Sequence, residues 1–223
     1  MSWESILQLV ILLVAIVFST VLHELAHGWT AYWLGDKTAK DHDRLSLNPI
    51  KHIDPYMSIL VPVALYLMGG PIFGGAKPVP VDRRNLKGGA WGMALVALAG
   101  PLTNLLLGFI ILLIAKLCGL LEFTNGEIYY AAGNEFAAET MLRIVLMELG
   151  FCIFNMLPIP PLDGSRILYA LAPDRVREFL DQAEKYGMIV VIMLVMLGGS
   201  LLSRYITGAM TGILNGMIAI LSF

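Results

Sequence analysis

An apolar stretch long enough to cross a bilayer, about Ile6 to Leu34, carries His23-Glu24-Leu25-Ala26-His27 near its end. That placement constrains the chain more than any other feature. Two imidazoles four residues apart lie one helical turn apart on one face, which suits two of the four ligand positions of a zinc ion. Glu24 points beside that face, where a carboxylate can take a proton from water at the metal. On a solvated helix an HExxH run is a common coincidence. At bilayer depth two histidines and a carboxylate are expensive, and they mark function.

The rest of the chain agrees with a membrane setting. Its 223 residues are 57% hydrophobic and only 14% charged, with a mean hydropathy of +0.75, which excludes an ordinary soluble domain. A net charge of −2 with no basic run argues against a nucleic-acid partner. Cys118 and Cys152 lie far apart and indicate neither a disulfide framework nor a thiolate zinc site. No basic run precedes the first apolar stretch, which leads straight into the HExxH run, so no cleaved signal peptide is expected.

The pattern predicts an all-α integral membrane protein, a single domain over 1–223. Helices are expected at about Ile6–Leu34, Trp91–Leu117, Thr140–Leu157, Tyr186–Leu202 and Ile206–Leu221. The catalytic core would cover about 5–170, and 186–221 would form a C-terminal helical hairpin. Trp29, Tyr32 and Trp33 read as an interfacial aromatic belt or as ordinary packing. Met57–Met68 is apolar but too short for an ordinary span, and Gly69–Gly89 is rich in Gly and Pro.

A parity argument places that doubtful segment. If Asp163 is to share a metal with His23 and His27, both must lie at one side of the membrane. The two intervening helices already give an even number of crossings, so 56–89 must dip in and return. Charge supports this. Lys and Arg populate 35–55, 77–87 and 164–186, whereas 118–139 has neither and carries Glu122, Glu127, Glu135 and Glu139. The expected topology is a multi-pass cell-membrane protein with five spans, the N-terminus outside, and the C-terminus and the site at the cytoplasmic side.

Asn155-Met156-Leu157-Pro158-Ile159-Pro160-Pro161-Leu162-Asp163-Gly164 ends the Thr140 helix, and its prolines predict an extended path that brings Asp163 toward the histidines. A capping role for Asp163 is the plainer reading. His52 or Asp54 is the rival third ligand, and residue chemistry leaves the choice open. Asn155 is placed to donate to a developing oxyanion or to satisfy freed backbone carbonyls. Glu148, on the same helix face, is an embedded acid that lines a water path or sits hydrogen-bonded inside the bundle. Gly100-Pro101-Leu102-Thr103-Asn104 reads first as close helix packing, with Asn104 touching substrate backbone as the second reading. In Lys77-Pro78-Val79-Pro80-Val81, prolines at alternate positions strip one edge of donors. The other edge would be free to pair with an extended peptide, unless the run is a rigid interfacial loop.

These residues resemble the site-2 protease family of intramembrane zinc metalloproteases, in particular its compact bacterial members without PDZ or CBS domains. The resemblance spans roughly 18–170 and rests on HELAHGWTAYWLGDKTAK, RLSLNPIKHIDP, GGPIFGGAKPVPV, GMALVALAGPLTNLLLG and FNMLPIPPLDG. It implies one zinc ion per chain held by His23, His27 and Asp163, with Glu24 as catalytic base and Asn155 as the active-site asparagine. It also implies a membrane re-entrant β-hairpin over 70–82, and so favours Asp163 over His52 or Asp54. The implied activity is hydrolysis of peptide bonds within or near transmembrane helices of other membrane proteins. Asp43 and Met57 stand where glycine is usual in the family, Ser165 replaces a second glycine after Asp163, and Gly75 replaces a bulkier residue. The rival function is a membrane metal-binding or transport protein using the same histidines.

Overall fold

The computed structural model describes residues 2–222 apart from 53–54, 61–62, 65–66, 68–76 and 125–126. It is mostly helical. The first helix, α1 (Trp3–Trp33), starts where the Ser2 hydroxyl accepts from the Ser5 N–H, with Glu4 in its first turn. It stops at Gly35, whose φ of 107° is open to glycine and strained for other residues. There the Asp36 N–H reaches Ala31 O and the Gly35 N–H reaches Tyr32 O, the two bonds of a Schellman cap. A four-residue helix, α2 (Thr38–Asp41), and short helical turns at Pro49–Lys51, Pro55–Leu60 and Arg83–Asn85 lead to α3 (Ala90–Leu117). Then come strands β1 (Leu121–Thr124) and β2 (Glu127–Tyr130), followed by α4 (Glu135–Asn155), α5 (Asp163–Leu171), α6 (Asp174–Glu184) and α7 (Gly187–Leu221).

Among the described residues two helices, α1 and α3, are long and apolar enough to cross a membrane. At 1.5 Å per residue each exceeds the ~30 Å hydrocarbon core. The helix α4 packs against both. Ile16 of α1 meets Met147 and Phe151 of α4, and Leu112 and Ala115 of α3 meet Val145 and Leu149. Gln8 near the start of α1 donates to Thr140 near the start of α4, so those ends lie together. The His23 end of α1 and the Asn155 end of α4 therefore share the opposite side of the bundle.

Three expectations change. First, a short antiparallel hairpin is present, but it is β1–β2, with Leu121 opposite Tyr130 and Thr124 opposite Glu127. Of the hairpin expected over 70–82, residues 70–76 lie outside the described residues, and 77–82 has no strand partner among the described ones. Second, the break between the two C-terminal helices falls at Gly199 (φ 27°, ψ −110°), where the backbone leaves helical angles, rather than near Ser203–Tyr205. Third, its last turns pack beside Leu112 and Ala115, and Leu221 O accepts from the Lys116 ammonium at the far end of α3. That bond puts the C-terminus at the end of the bundle away from the histidines, not on their side. Of the five expected spans, α1 and α3 have the length and apolarity of a crossing among the described residues, and α4 and the second arm of α7 pack beside them.

Candidate metal centre

The helix α1 presents His23 and His27 one turn apart, and Asp163 opens α5 beside them, all three buried. His23 Nε2 and His27 Nε2 are 3.0 Å apart, and Asp163 Oδ2 lies 3.2 and 3.3 Å from them. The other ring nitrogens are committed elsewhere. His23 Nδ1 meets Asn104 Oδ1 at 2.6 Å, and His27 Nδ1 meets Val96 O at 2.7 Å. Both partners accept only, so both Nδ1 atoms carry the hydrogen, and each neutral ring then keeps its Nε2 lone pair for a metal. Three acceptors thus converge, and Asp163 Oδ2 has no hydrogen-bond donor among the described residues. Such a cluster is repulsive without a cation between its members. Its edges are close to the roughly 3.4 Å of a tetrahedron with arms of ~2.1 Å, so zinc fits the set.

Two glycines make room for this convergence. A Cβ on Gly100 of α3 would stand 2.5 Å from His27 Nε2 and 2.6 Å from His23 Cε1. Only glycine lets α3 pass over the imidazoles. A Cβ on Gly164 would collide with the carbonyls of Met156 and Leu157, against which the Asp163 turn is pressed. Ser165 is buried, and its hydroxyl donates to Leu162 O at 2.7 Å, which ties the start of α5 to the preceding loop. The proline segment is not extended as expected. It turns back on itself, with Ile159 N–H on Leu157 O and Leu162 N–H on Ile159 O, and that turn is what returns Asp163 to the histidines.

Glu24 is half-buried, and its Oε2 accepts from the Val79 N–H at 2.6 Å. On the donor edge of Lys77–Val81, expected to be free for a peptide, the N–H groups of Lys77 and Val79 have partners within the chain. Lys77 N–H donates to His52 O at 2.8 Å, and Lys77 O accepts from the Arg44 guanidinium at 2.7 Å. Pro78 and Pro80 leave the opposite edge with acceptors only. The next residue outward is anchored too, because the Asp82 N–H donates to Asp36 Oδ2 at 2.7 Å. Asp36 is fully buried. Burial pushes its carboxyl up, but hydrogen bonds from Thr38, Asp82 and Asn85 outweigh this and hold it below the usual carboxylate range.

His52 does not join the metal cluster. Its Nε2 faces Ser46 O at 2.8 Å and its carbonyl takes the Lys77 N–H, so it acts as a lock on the loop. Asp54 lies outside the described residues. The Asn155 amide, at the metal end of α4, donates to Phe151 O at 3.0 Å on its own helix. Asn104 is fully buried against His23, which removes it from any contact with substrate backbone. The close packing expected at Gly100 is present, and the surface it meets is the two imidazoles; Gly100, Asn104 and Gly108 fall at four-residue intervals on one face of α3.

Comparison with known proteins points the same way. A profile of peptidase family M50 matches residues 126–198. The Bacillus subtilis protein YwhC, named as a candidate zinc metalloprotease, is 42% identical over 189 residues, covering 82% of this chain and 78% of its own. A Methanocaldococcus jannaschii protein named in the same way, MJ0611, is 30% identical over 166 residues, covering 74% of this chain and 72% of its own. Rip2 of Mycolicibacterium smegmatis, again a candidate zinc metalloprotease by name, is 27% identical over 180 residues, and the match covers 64% of it. No solved structure matches the chain significantly.

Proposed function

Because this chain belongs to peptidase family M50, the site-2 protease family of zinc metalloproteases, we propose that it is an endopeptidase that cuts peptide bonds within or near transmembrane helices of other proteins. The observation that carries this reading is the joining of three convergent metal acceptors to a glutamate at the end of a membrane-length helix. His23, His27 and Asp163 would hold one zinc ion, which supplies a Lewis acid for the scissile carbonyl and a more acidic water. Glu24 takes the proton of the attacking water and passes it to the departing amine. The Val79 N–H holds Oε2, so the 77–82 segment orients the base. A helical substrate must unwind locally before its carbonyl reaches this site, because its backbone groups are otherwise hydrogen-bonded to one another.

The basic segments 35–55, 77–87 and 164–186 place the metal end of the bundle at the cytoplasmic face under the positive-inside rule. The N-terminus then lies outside. With the Lys116–Leu221 contact, the C-terminus lies outside with it. A metal-transport function is the rival, and it predicts metal flux across vesicles without any peptide product.

The test is Glu24→Gln beside wild type in a membrane-substrate cleavage assay, with zinc content measured on the same samples. The metal should stay bound, since Glu24 is not one of the three ligands. Cleavage should fall at least ~10²-fold with loss of the general base. Wild-type cleavage by the Gln variant would overturn the proposal.

A further inference from the structure

The polar side chains just beneath the metal centre form a network that the proposed chemistry does not use. Ser19 of α1, Asn104 of α3 and Glu148 of α4 are buried together in an otherwise apolar three-helix core. Ser19 Oγ donates to Glu148 Oε2 at 2.8 Å. Asn104 Nδ2 donates to the same Oε2 at 2.8 Å and to Ser19 Oγ at 2.9 Å. Asn104 Oδ1 faces His23 Nδ1 at 2.6 Å. Gly108, one turn beyond Asn104, faces Glu148: a Cβ there would stand 3.4 Å from that of Glu148, in ordinary contact. Buried groups of this kind are costly unless each is satisfied, so three helices contributing one apiece to a closed network call for a reason.

We propose that Asn104 is a positioning residue of the metal centre, oriented by Glu148 and Ser19, and that it fixes His23 in the tautomer that offers Nε2 to the metal. The inference rests on the zinc-protease reading above. An amide has an accepting and a donating end of nearly equal shape, and its neighbours decide which way it points. Glu148 accepts. Ser19 has spent its hydrogen on Glu148, so toward Asn104 it too accepts. Both partners require the amide nitrogen, which turns Oδ1 toward His23. An amide oxygen only accepts, so His23 Nδ1 carries the hydrogen and Nε2 keeps its lone pair for the metal. His27 needs no such device, because its Nδ1 is held by the Val96 main-chain carbonyl. One ligand is fixed by backbone and the other by a relay of side chains, as partners behind a metal-ligating histidine commonly do.

The experiment is a titration of the full chain in detergent with cobalt(II) alone against a competing chelator, recording affinity and the visible absorption band. Asn104→Leu should weaken cobalt binding about 10- to 100-fold and alter the band. Glu148→Leu should act in the same direction, because the amide is then free to turn. Glu148→Gln should restore wild-type binding, since its amide oxygen still accepts from Asn104 and Ser19. A purely structural network would lower thermal stability in all three variants and leave the affinity and band of the folded fraction unchanged, and that result overturns the inference. If Asn104→Leu fails to fold, the Glu148 pair decides, and equal cobalt affinity in Leu and Gln variants overturns it. Failure of the wild type to bind cobalt would instead sink the metal reading itself, a distinguishable outcome.

Discussion

The site is built from two halves of different construction. The metal half stands on helices: His23 and His27 on α1, Asp163 at the start of α5, with α3 laid over them at Gly100. The base half is an extended segment, 77–82, with no strand partner among the described residues. It hangs from the Asp36 and Arg44 side chains, from the His52 main-chain carbonyl and from Glu24 itself. In the first half, position follows from helical periodicity and close packing, which are stiff. In the second it follows from a few hydrogen bonds, each worth on the order of 1 kcal/mol net. The metal half should therefore fail abruptly when space is taken from it, and the base half should loosen by degrees.

The largest expected effect tests the stiff half. Gly100→Ala adds one methyl in the path of both imidazoles, yet alanine favours the helix over glycine by roughly 1 kcal/mol, so the helix itself should form. Metal affinity should drop on the order of 100-fold, as judged against loss of a well-placed supporting group. Proteolytic sensitivity of 77–87 should stay at wild-type level. Unimpaired zinc uptake by Gly100→Ala would mean that α3 yields easily, and the contrast between the halves would collapse.

A smaller effect tests the hanging half. The Asp36 carboxylate accepts from Thr38 N–H, the Thr38 hydroxyl, Asp82 N–H and the Asn85 amide. Asp36→Asn turns an amide nitrogen toward donors and should weaken the anchor by about 1–3 kcal/mol. Limited proteolysis within 77–87 should accelerate and cleavage activity should fall, with metal affinity unchanged. Acid should loosen the same segment in the wild type. The folded Asp36 carboxyl is held below its unfolded value of ~3.9, so its contribution is complete above that pH and lost as pH falls through the lower folded value. Asp82, whose carboxyl the hydrogen bonds from Arg84 pull down to about 2, adds to the same acid window. Protease sensitivity should be flat from neutrality to about pH 5 and rise only below pH ~4. A rise already near pH 6 would point to a histidine instead.

The two halves were also unequally legible in the sequence. His23, Glu24 and His27 lie within five residues, so one helical turn turns their spacing into geometry. Asp163 is far from them in sequence: residue chemistry leaves it open against His52 and Asp54, and the family resemblance favours it. The detail of the proline run before it was misread, because prolines block a helix without saying whether the chain extends or turns. Contacts of 77–82 with Arg44, His52 and Asp36 join residues tens of positions apart, and nothing in local pattern announces them. The Asn104–Glu148–Ser19 network is hidden for the same reason, since each residue sits alone in an apolar helix. At the C-terminus, Ser203-Arg204-Tyr205 looked like a turn because it is the polar part of the stretch. The bend falls at Gly199 instead, where the backbone departs from helical angles.

The smallest effect concerns the loop that carries Arg44 to the hanging segment. Asp43 has a φ of 53°, directly after α2, with its N–H on Lys40 O and the Arg44 N–H on Ala39 O. That is the left-handed position after a helix end, where glycine is at ease and aspartate is tolerated at a cost of about 1 kcal/mol. It accounts for the glycine usual here in the family that the chain resembles. Aspartate offers in return an ion pair with Lys51, but its side chain is 86% exposed and such pairs contribute about 0–1 kcal/mol. Asp43→Gly trades the strain for that weak pair and for a more flexible unfolded chain. The net change should be a stabilisation below ~1 kcal/mol, seen in denaturant unfolding, while Arg44 keeps its bond to Lys77 O. A loss above ~1 kcal/mol would show that the Lys51 pair, not the backbone, sets this corner. The hanging half would then depend on charge at its anchor as well as on hydrogen bonds, and raised salt should loosen it.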